Sequence, residues 1–164
     1  MSQGPATVAS VEYRELPPQQ IERLRPLWQK LNSYHASVSP HFSRDFQGYT
    51  FDEQKRRLLN DKSRLYILVA ENDREELVGY AVGSMNEGAN TRGELDSMYV
   101  EEAYRGSGIG EELATEILNW FDRHGVDNVI IAVATGNERA LKFYERLGFV
   151  PRAYTLRRKP DPEA

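Results

Sequence analysis

The run Arg105-Gly106-Ser107-Gly108-Ile109-Gly110 stands between a strand-like stretch, residues 94–100, and a helix-like stretch, residues 108–124. The helical stretch repeats Leu113, Ile117, Trp120 and Phe121 along one face, and Gly125 provides a left-handed stop. Three glycines within five positions allow positive φ and a close approach of main chain to a ligand. The first N–H groups of the following helix lack intrahelical partners, and the helix dipole favours negative charge there. A strand, a glycine loop and a helix in this order suit a pyrophosphate held mainly by main-chain donors. Two better-known fingerprints fail. No Gly-x-x-x-x-Gly-Lys-Ser/Thr run occurs, and a Gly-x-Gly-x-x-Gly pattern started at Gly106 meets Glu111 at its last position.

Towards the C-terminus, residues 128–134 read as a buried-type strand carrying Val129, Ile130, Ile131 and Val133. Residues 138–147 read as a helix closed by Gly148, and residues 149–153 and 154–158 as a final strand pair. Towards the N-terminus, residues 65–71 and 77–85 form a hairpin around Asn72-Asp73. Thr50-Phe51-Asp52-Glu53 has capping-box spacing and opens a helix to about Asn60. Residues 32–48 look irregular and aromatic. Ile21, Leu24, Leu27, Trp28 and Leu31 mark an amphipathic helix that Pro26 should kink or restart. Residues 8–16 read as a first strand. The order implies a single α/β domain over residues 1–164, with frayed ends at 1–7 and 160–164.

Composition narrows the chemistry. The net charge of −4 argues against sequence-independent nucleic-acid binding and is compatible with a cationic acceptor. With no cysteine, disulfides, thiol nucleophiles and Cys-ligated zinc are excluded. His35, His41 and His124 lack metal-ligand spacing, so no metal is expected. Residues 1–10 lack a signal-peptide core and no stretch nears the roughly 18 apolar residues of a membrane span. A cytoplasmic protein without membrane partners is the expectation.

The segment Glu94-Leu95-Asp96-Ser97-Met98-Tyr99-Val100, the loop to Tyr104, and Arg105, Gly108 and Gly110 resemble the core of the GNAT superfamily of N-acetyltransferases, whose pyrophosphate motif is Arg/Gln-x-x-Gly-x-Gly/Ala. The run from Asn137 to Phe149, which includes Ala140-Leu141-Lys142-Phe143-Tyr144, resembles that family's second signature. The resemblance covers about residues 93–150. It implies a mixed, mostly antiparallel central sheet with helices on both faces and a splayed parallel strand pair at the CoA site. It also implies acetyl-CoA as co-substrate and an amine as acceptor, and a homodimer, since relatives often pair.

In such enzymes the strand matching Met98, Tyr99 and Val100 is bulged, and its main chain pairs with the pantetheine arm while an N–H near Tyr99 or Val100 polarises the thioester carbonyl. The asparagine matching Asn137 holds the cofactor arm, and the tyrosine matching Tyr144 protonates the leaving thiolate. The plainer roles of these two residues are an N-cap and a packing aromatic. Glu94 stands where some relatives carry a general base. Strand alternation sets Glu94, Asp96 and Met98 on one face, so Asp96, or water, is an alternative. Glu101, Glu102, Glu111 and Glu112 oppose an incoming anion, and Arg139 and Lys142 could offset them at the nucleotide phosphates. The expected reaction is direct acetyl transfer to a primary amine: a polyamine, amino acid or amino sugar. A protein N-terminus or lysine is the rival acceptor, and a non-catalytic CoA-binding regulatory module is the rival function.

Overall fold

The protein, seen in a computed structural model that describes residues 10–159, is a five-stranded sheet in sequential order with helices on both faces. Strands β1 (Glu12–Glu15), β2 (Arg64–Glu71), β3 (Leu77–Asn86) and β4 (Arg92–Val100) pair antiparallel, and β5 (Val129–Ile130) joins β4 in parallel. Side chains of β2 and β3 alternate between two cores, as a period of two demands. Leu68, Ala70 and Ala81 meet Leu113, Ile117 and Phe121 of α4 (Ile109–Arg123). Ile67, Val69, Tyr80 and Val82 meet Leu24, Trp28, Phe51 and Leu58 on the other face.

That second face is built by α1 (Arg25–Val38), the short α2 (Ser43–Gly48) and α3 (Phe51–Asp61). A 3-10 turn over Pro18–Leu24 precedes α1, and Pro26 lies in the first turn of α1, where its missing N–H costs nothing. Pro26 therefore restarts the helix. Thr50 and Glu53 form the full capping box of α3.

Three expectations need correction. Residues 32–38 continue α1 and residues 43–48 form α2, so only a short connection between them is irregular. The expected strand at 128–134 shrinks to Val129–Ile130, half-buried, because β4 offers pairing only at Gly93 and Glu94. With so short an edge beside it, the expected final strand pair does not form: residues 150–158 are exposed, including Val150, Tyr154 and Leu156, and Pro151 has no N–H to donate. Arg157 instead ion-pairs with Asp45 and lies over the Phe42 ring. The beginning of the expected first strand and the expected frayed ends lie outside the described residues. Among the described residues no helix is long and apolar enough to cross a membrane.

Candidate active site

The parity of β4 changes in its middle. Gly83 pairs with Leu95 and Val82 with Ser97, which leaves Asp96 without a partner on β3. This is a β-bulge, one extra residue that re-aims everything after it. Leu95 belongs with the α4-side core; so do Met98 and Val100, while Tyr99 turns to the opposite core. Glu94, Asp96 and Met98 therefore do not share a face. The bulge lies one to two residues ahead of the Met98–Val100 segment that the resemblance had marked.

Pairing with β5 ends at Glu94 and Ile130, so from Leu95 onward the outer edge of β4 is open. Which groups face that opening follows from the ladder. The N–H of Glu101 donates to Val78 O at 2.8 Å, and partners in an antiparallel pair alternate between bonded and non-bonded. Tyr99 thus faces Tyr80 on β3, whereas the N–H and C=O of Met98 and Val100 point into the gap. Of the donors expected near Tyr99 or Val100, the ladder leaves Met98 and Val100.

The glycine loop delivers open donors to the far end of this gap. Gly106 and Gly108 have φ of +79° and +86°, and Gly108 is the left-handed N-cap of α4 with no side-chain cap. The first main-chain bond of the helix is Glu112 N–H to Gly108 O at 3.0 Å, so the N–H groups of Ile109, Gly110 and Glu111 have no carbonyl in their own helix. Ser107 faces backwards: its hydroxyl donates to Tyr104 O at 2.6 Å, and it does not line the groove. Arg105 does line it, while its Nε donates to Val100 O at 2.8 Å and its guanidinium lies 5.2 Å from the Tyr99 ring centre. Arg105 thereby ties the loop to the open strand edge.

The opposite wall is α5 (Glu138–Arg146), whose N-cap is Asn137. Asn137 is buried and its Oδ1 accepts from Ala140 N–H at 3.2 Å, the ordinary capping bond. Among the described residues no hydrogen bond uses its Nδ2. Two turns on, Tyr144 is buried against Phe143 and Phe149, with ring centres 5.1 and 5.9 Å away. Burial raises its hydroxyl pKa above the usual tyrosine value, so the proton stays on at neutral pH.

Two hollows result. A groove of about 570 Å³ runs along Met98, Tyr99, Val100, the loop, and Arg139 and Lys142 of α5. A cavity of about 180 Å³ lies on the other side of the splay, between α1, α2 and the diverging strands. Leu31, Met98, Asn137, Ala140 and Tyr144 line both, so the two hollows meet at these residues. Sequence reading missed Phe143 and Arg146 in the groove and most walls of the cavity. Trp28 serves both as core and as cavity wall, Phe46 is a cavity wall, and Tyr34 lines the groove.

The two acids of β4 are differently employed. Glu94 lines neither hollow; its carboxylate pairs with Lys62 at 3.1 Å. Asp96 lines the small cavity, yet its side chain is 0 % exposed, so its main chain forms the wall while the carboxylate sits behind. Asp96 Oδ1 accepts from Arg57 at 2.6 Å, and Oδ2 has no partner among the described residues. Burial raises the Asp96 pKa above the usual carboxylate value, with Ser84 and Arg57 pulling the other way. Among the described residues no group of three or more His, Cys, Asp or Glu side chains is placed to hold a metal.

Known proteins resemble the chain in sequence and in fold. The chain is 29 % identical over 79 residues to N-alpha-acetyltransferase 30 of Schizosaccharomyces pombe, covering 47 % of this chain and 53 % of that one. It is 38 % identical over 80 residues to mycothiol acetyltransferase of Corynebacterium glutamicum, covering 47 % and 26 %. The chain thus spans about half the length of the first and a quarter of the second. Among solved structures, the aminoglycoside N-acetyltransferase AAC(6′)-Iy in complex with CoA superposes with a TM-score of 0.67 at 16 % identity, over 96 % of this chain and 99 % of that one, a likeness of fold. Residues 28–149, which contain the bulged strand, the glycine loop and the Asn137–Tyr144 helix, match the acetyltransferase (GNAT) family, and the protein belongs to it.

Proposed function

We propose that this protein transfers the acetyl group of acetyl-CoA to a primary amine by direct attack within a ternary complex. The observation that carries the reading is the junction at Met98, Asn137, Ala140 and Tyr144, where a groove fitted to a phosphorylated cofactor opens into a separate small cavity. The free N–H groups at the start of α4 suit a pyrophosphate. The open edge of β4 can accept an extended amide-bearing arm as an added strand would be accepted. The N–H of Met98 or Val100 then stabilises negative charge on the thioester oxygen. The amine nitrogen forms the C–N bond, the C–S bond breaks, the Tyr144 hydroxyl gives its proton to the departing sulfur, and the proton lost by the acylated nitrogen passes through solvent to restore the Tyr144 hydroxyl. Holding both reactants at one junction accounts for the rate without a covalent acyl-enzyme. Varying both substrates in initial-rate experiments should give intersecting double-reciprocal lines; parallel lines would contradict direct attack.

Water, rather than either acid of β4, takes the proton in this reading, because Glu94 lies outside both hollows and the Asp96 carboxylate is sealed. Glu94→Gln is therefore expected to leave kcat/KM within about threefold and to keep the acid limb of its pH profile, since removing a true general base costs about a hundredfold or more. A hundredfold loss together with a flattened acid limb would assign the base to Glu94.

Arg139 and Lys142 line the groove and form no ion pair among the described residues, which fits them to the nucleotide phosphates. Either residue changed to Ala should weaken CoA by about five- to tenfold, the loss of one charge-assisted contact. Dephospho-CoA, which lacks the 3′-phosphate, should be weakened less in isothermal titration. Equal losses for both ligands would remove the assignment.

A further inference from the structure

We propose that the amine taken by the small cavity is a monoamine with a compact, apolar, ring-bearing body, an arylalkylamine in chemical class. This rests on the acetyl-transfer reading and names the acceptor of that site. Size sets the first limit. The cavity, open on one side, holds about 180 Å³ within its walls, and a closed pocket of about 150 Å³ accommodates benzene. One ring and a short aliphatic tether fill such a space, with the nitrogen left at the junction beside Tyr144.

The walls set the second. Trp28, His35, Phe46 and Tyr49 supply the face away from the cofactor groove. The rings are grouped, Trp28 lying 5.9 Å from Tyr49 and His35 5.4 Å from Phe46 between centres. Polar side chains among the walls are largely engaged with the protein itself. Asn32 Nδ2 donates to Phe46 O at 2.5 Å and Tyr49 O at 3.2 Å, and the Tyr49 hydroxyl donates to Gln54 Oε1 at 3.0 Å. Main-chain groups of Asp96, which has no partner on β3, remain to meet the amine.

Charge sets the third. Among the described residues no Lys or Arg lines the cavity, and the one acid, Asp96, presents main chain because its carboxylate is fully enclosed against Arg57. His35 is kept from protonating by burial, which lowers its pKa below the usual histidine value. A polyamine or an aminosugar would bring further ammonium groups to walls without an accessible carboxylate, and an amino acid would bring a carboxylate to walls without a cation. Either would leave a charge facing walls that offer it no accessible opposite charge. The monoamine leaves none, since its single nitrogen is the reacting atom.

The test compares acetyl-CoA-dependent thiol release with 2-phenylethylamine, spermidine, kanamycin and a short peptide. In parallel, tryptophan fluorescence is followed as 2-phenylethylamine is titrated into the CoA-saturated protein. Trp28 is a cavity wall, whereas Trp120 stacks on Tyr66 on the other face of the sheet, so the signal reports the cavity. The expected result is a kcat/KM at least tenfold higher for 2-phenylethylamine than for the other three, and a saturable fluorescence change absent from Trp28→Phe. Phe46→Ala, which changes a cavity wall but no groove wall, should lower kcat/KM for 2-phenylethylamine about tenfold and leave CoA affinity unchanged. Preference for spermidine, kanamycin or the peptide overturns the acceptor class while acetyl transfer stands. Saturable binding without thiol release from any amine supports the cavity's ligand class and tells against acetyl transfer. Neither binding nor release with 2-phenylethylamine overturns the proposal.

Discussion

Tyr144→Phe is expected to lower kcat by about a hundred- to ten-thousandfold, the usual worth of a positioned acid, while the dissociation constant of acetyl-CoA stays within about twofold. Tyr144 stands where the two hollows meet and is buried among Phe143, Phe149 and the α4-side core. Its raised pKa keeps the hydroxyl protonated throughout the neutral range, so a proton is on hand where negative charge develops. The sulfur expelled into this confined site is desolvated as well, and the hydroxyl can donate to it as the C–S bond breaks. Phenylalanine fills the same volume and keeps both ring contacts, so the fold and the cofactor groove should survive the change. The thermal midpoint supplies the control, and single-turnover rates ensure that chemistry is being read. An undiminished single-turnover rate in a folded variant would strip Tyr144 of the role and leave it a packing aromatic.

Gly136→Ala is expected to be the most damaging small substitution near the site. Gly136 has a φ of +92°, and a Cβ built there would lie 2.1 Å from Val38 O and 3.0 Å from Val38 C. Both atoms are main chain at the end of α1, so no side chain can swing aside. Left-handed strain alone costs about 1–2 kcal/mol. Relief of the clash must then move either the end of α1 or the loop that sets Asn137 at the head of α5. A total loss of about 3 kcal/mol in urea unfolding is expected, within the upper part of the range for single substitutions. Because Asn137 lines both hollows, acetyl-CoA affinity should fall as well, by about tenfold or more, as misplacement of positioning groups commonly costs. Gly110→Ala is the matched control. Its Cβ would meet nothing nearer than Phe143 at 3.7 Å, an ordinary contact, and its stability should change little. Equal damage from both substitutions would contradict the close packing of the 136 loop on α1.

The difference between these two glycines also shows how far sequence carries. The donor-rich start of α4 is legible because its causes are local: Gly106 and Gly108 sit beside a helix start whose unpaired N–H groups follow from helix geometry. The capping box of α3 and the restart at Pro26 are local in the same sense. The contact of Gly136 with Val38 spans ninety-eight residues of chain and leaves no mark on either segment. The bulge at Asp96 is likewise a property of pairing with β3. Without it, simple alternation groups Glu94 with Met98 and makes Glu94 look like a neighbour of the chemistry. The small cavity is the least legible part. Trp28 and Leu31 fall on the apolar face of α1 as core residues would, and only the opening of β4 from β5 beyond Ile130 turns that core edge into a wall. The final strand pair read into residues 149–158 fails for a related reason, since alternating apolar residues make a strand only where an edge is within reach.

Acetyl transfer to an amine at the junction of the two hollows is tested by following free thiol as acetyl-CoA is mixed with the protein and a panel of amines. The chain has no cysteine, so every new thiol is CoA. Thiol release should require both protein and amine, saturate with each substrate, and yield one acetylated amine per thiol. Acetyl-CoA bound tightly, with no amine in the panel able to raise thiol release above the rate without protein, would contradict acetyl transfer and favour a protein that binds CoA without turning it over.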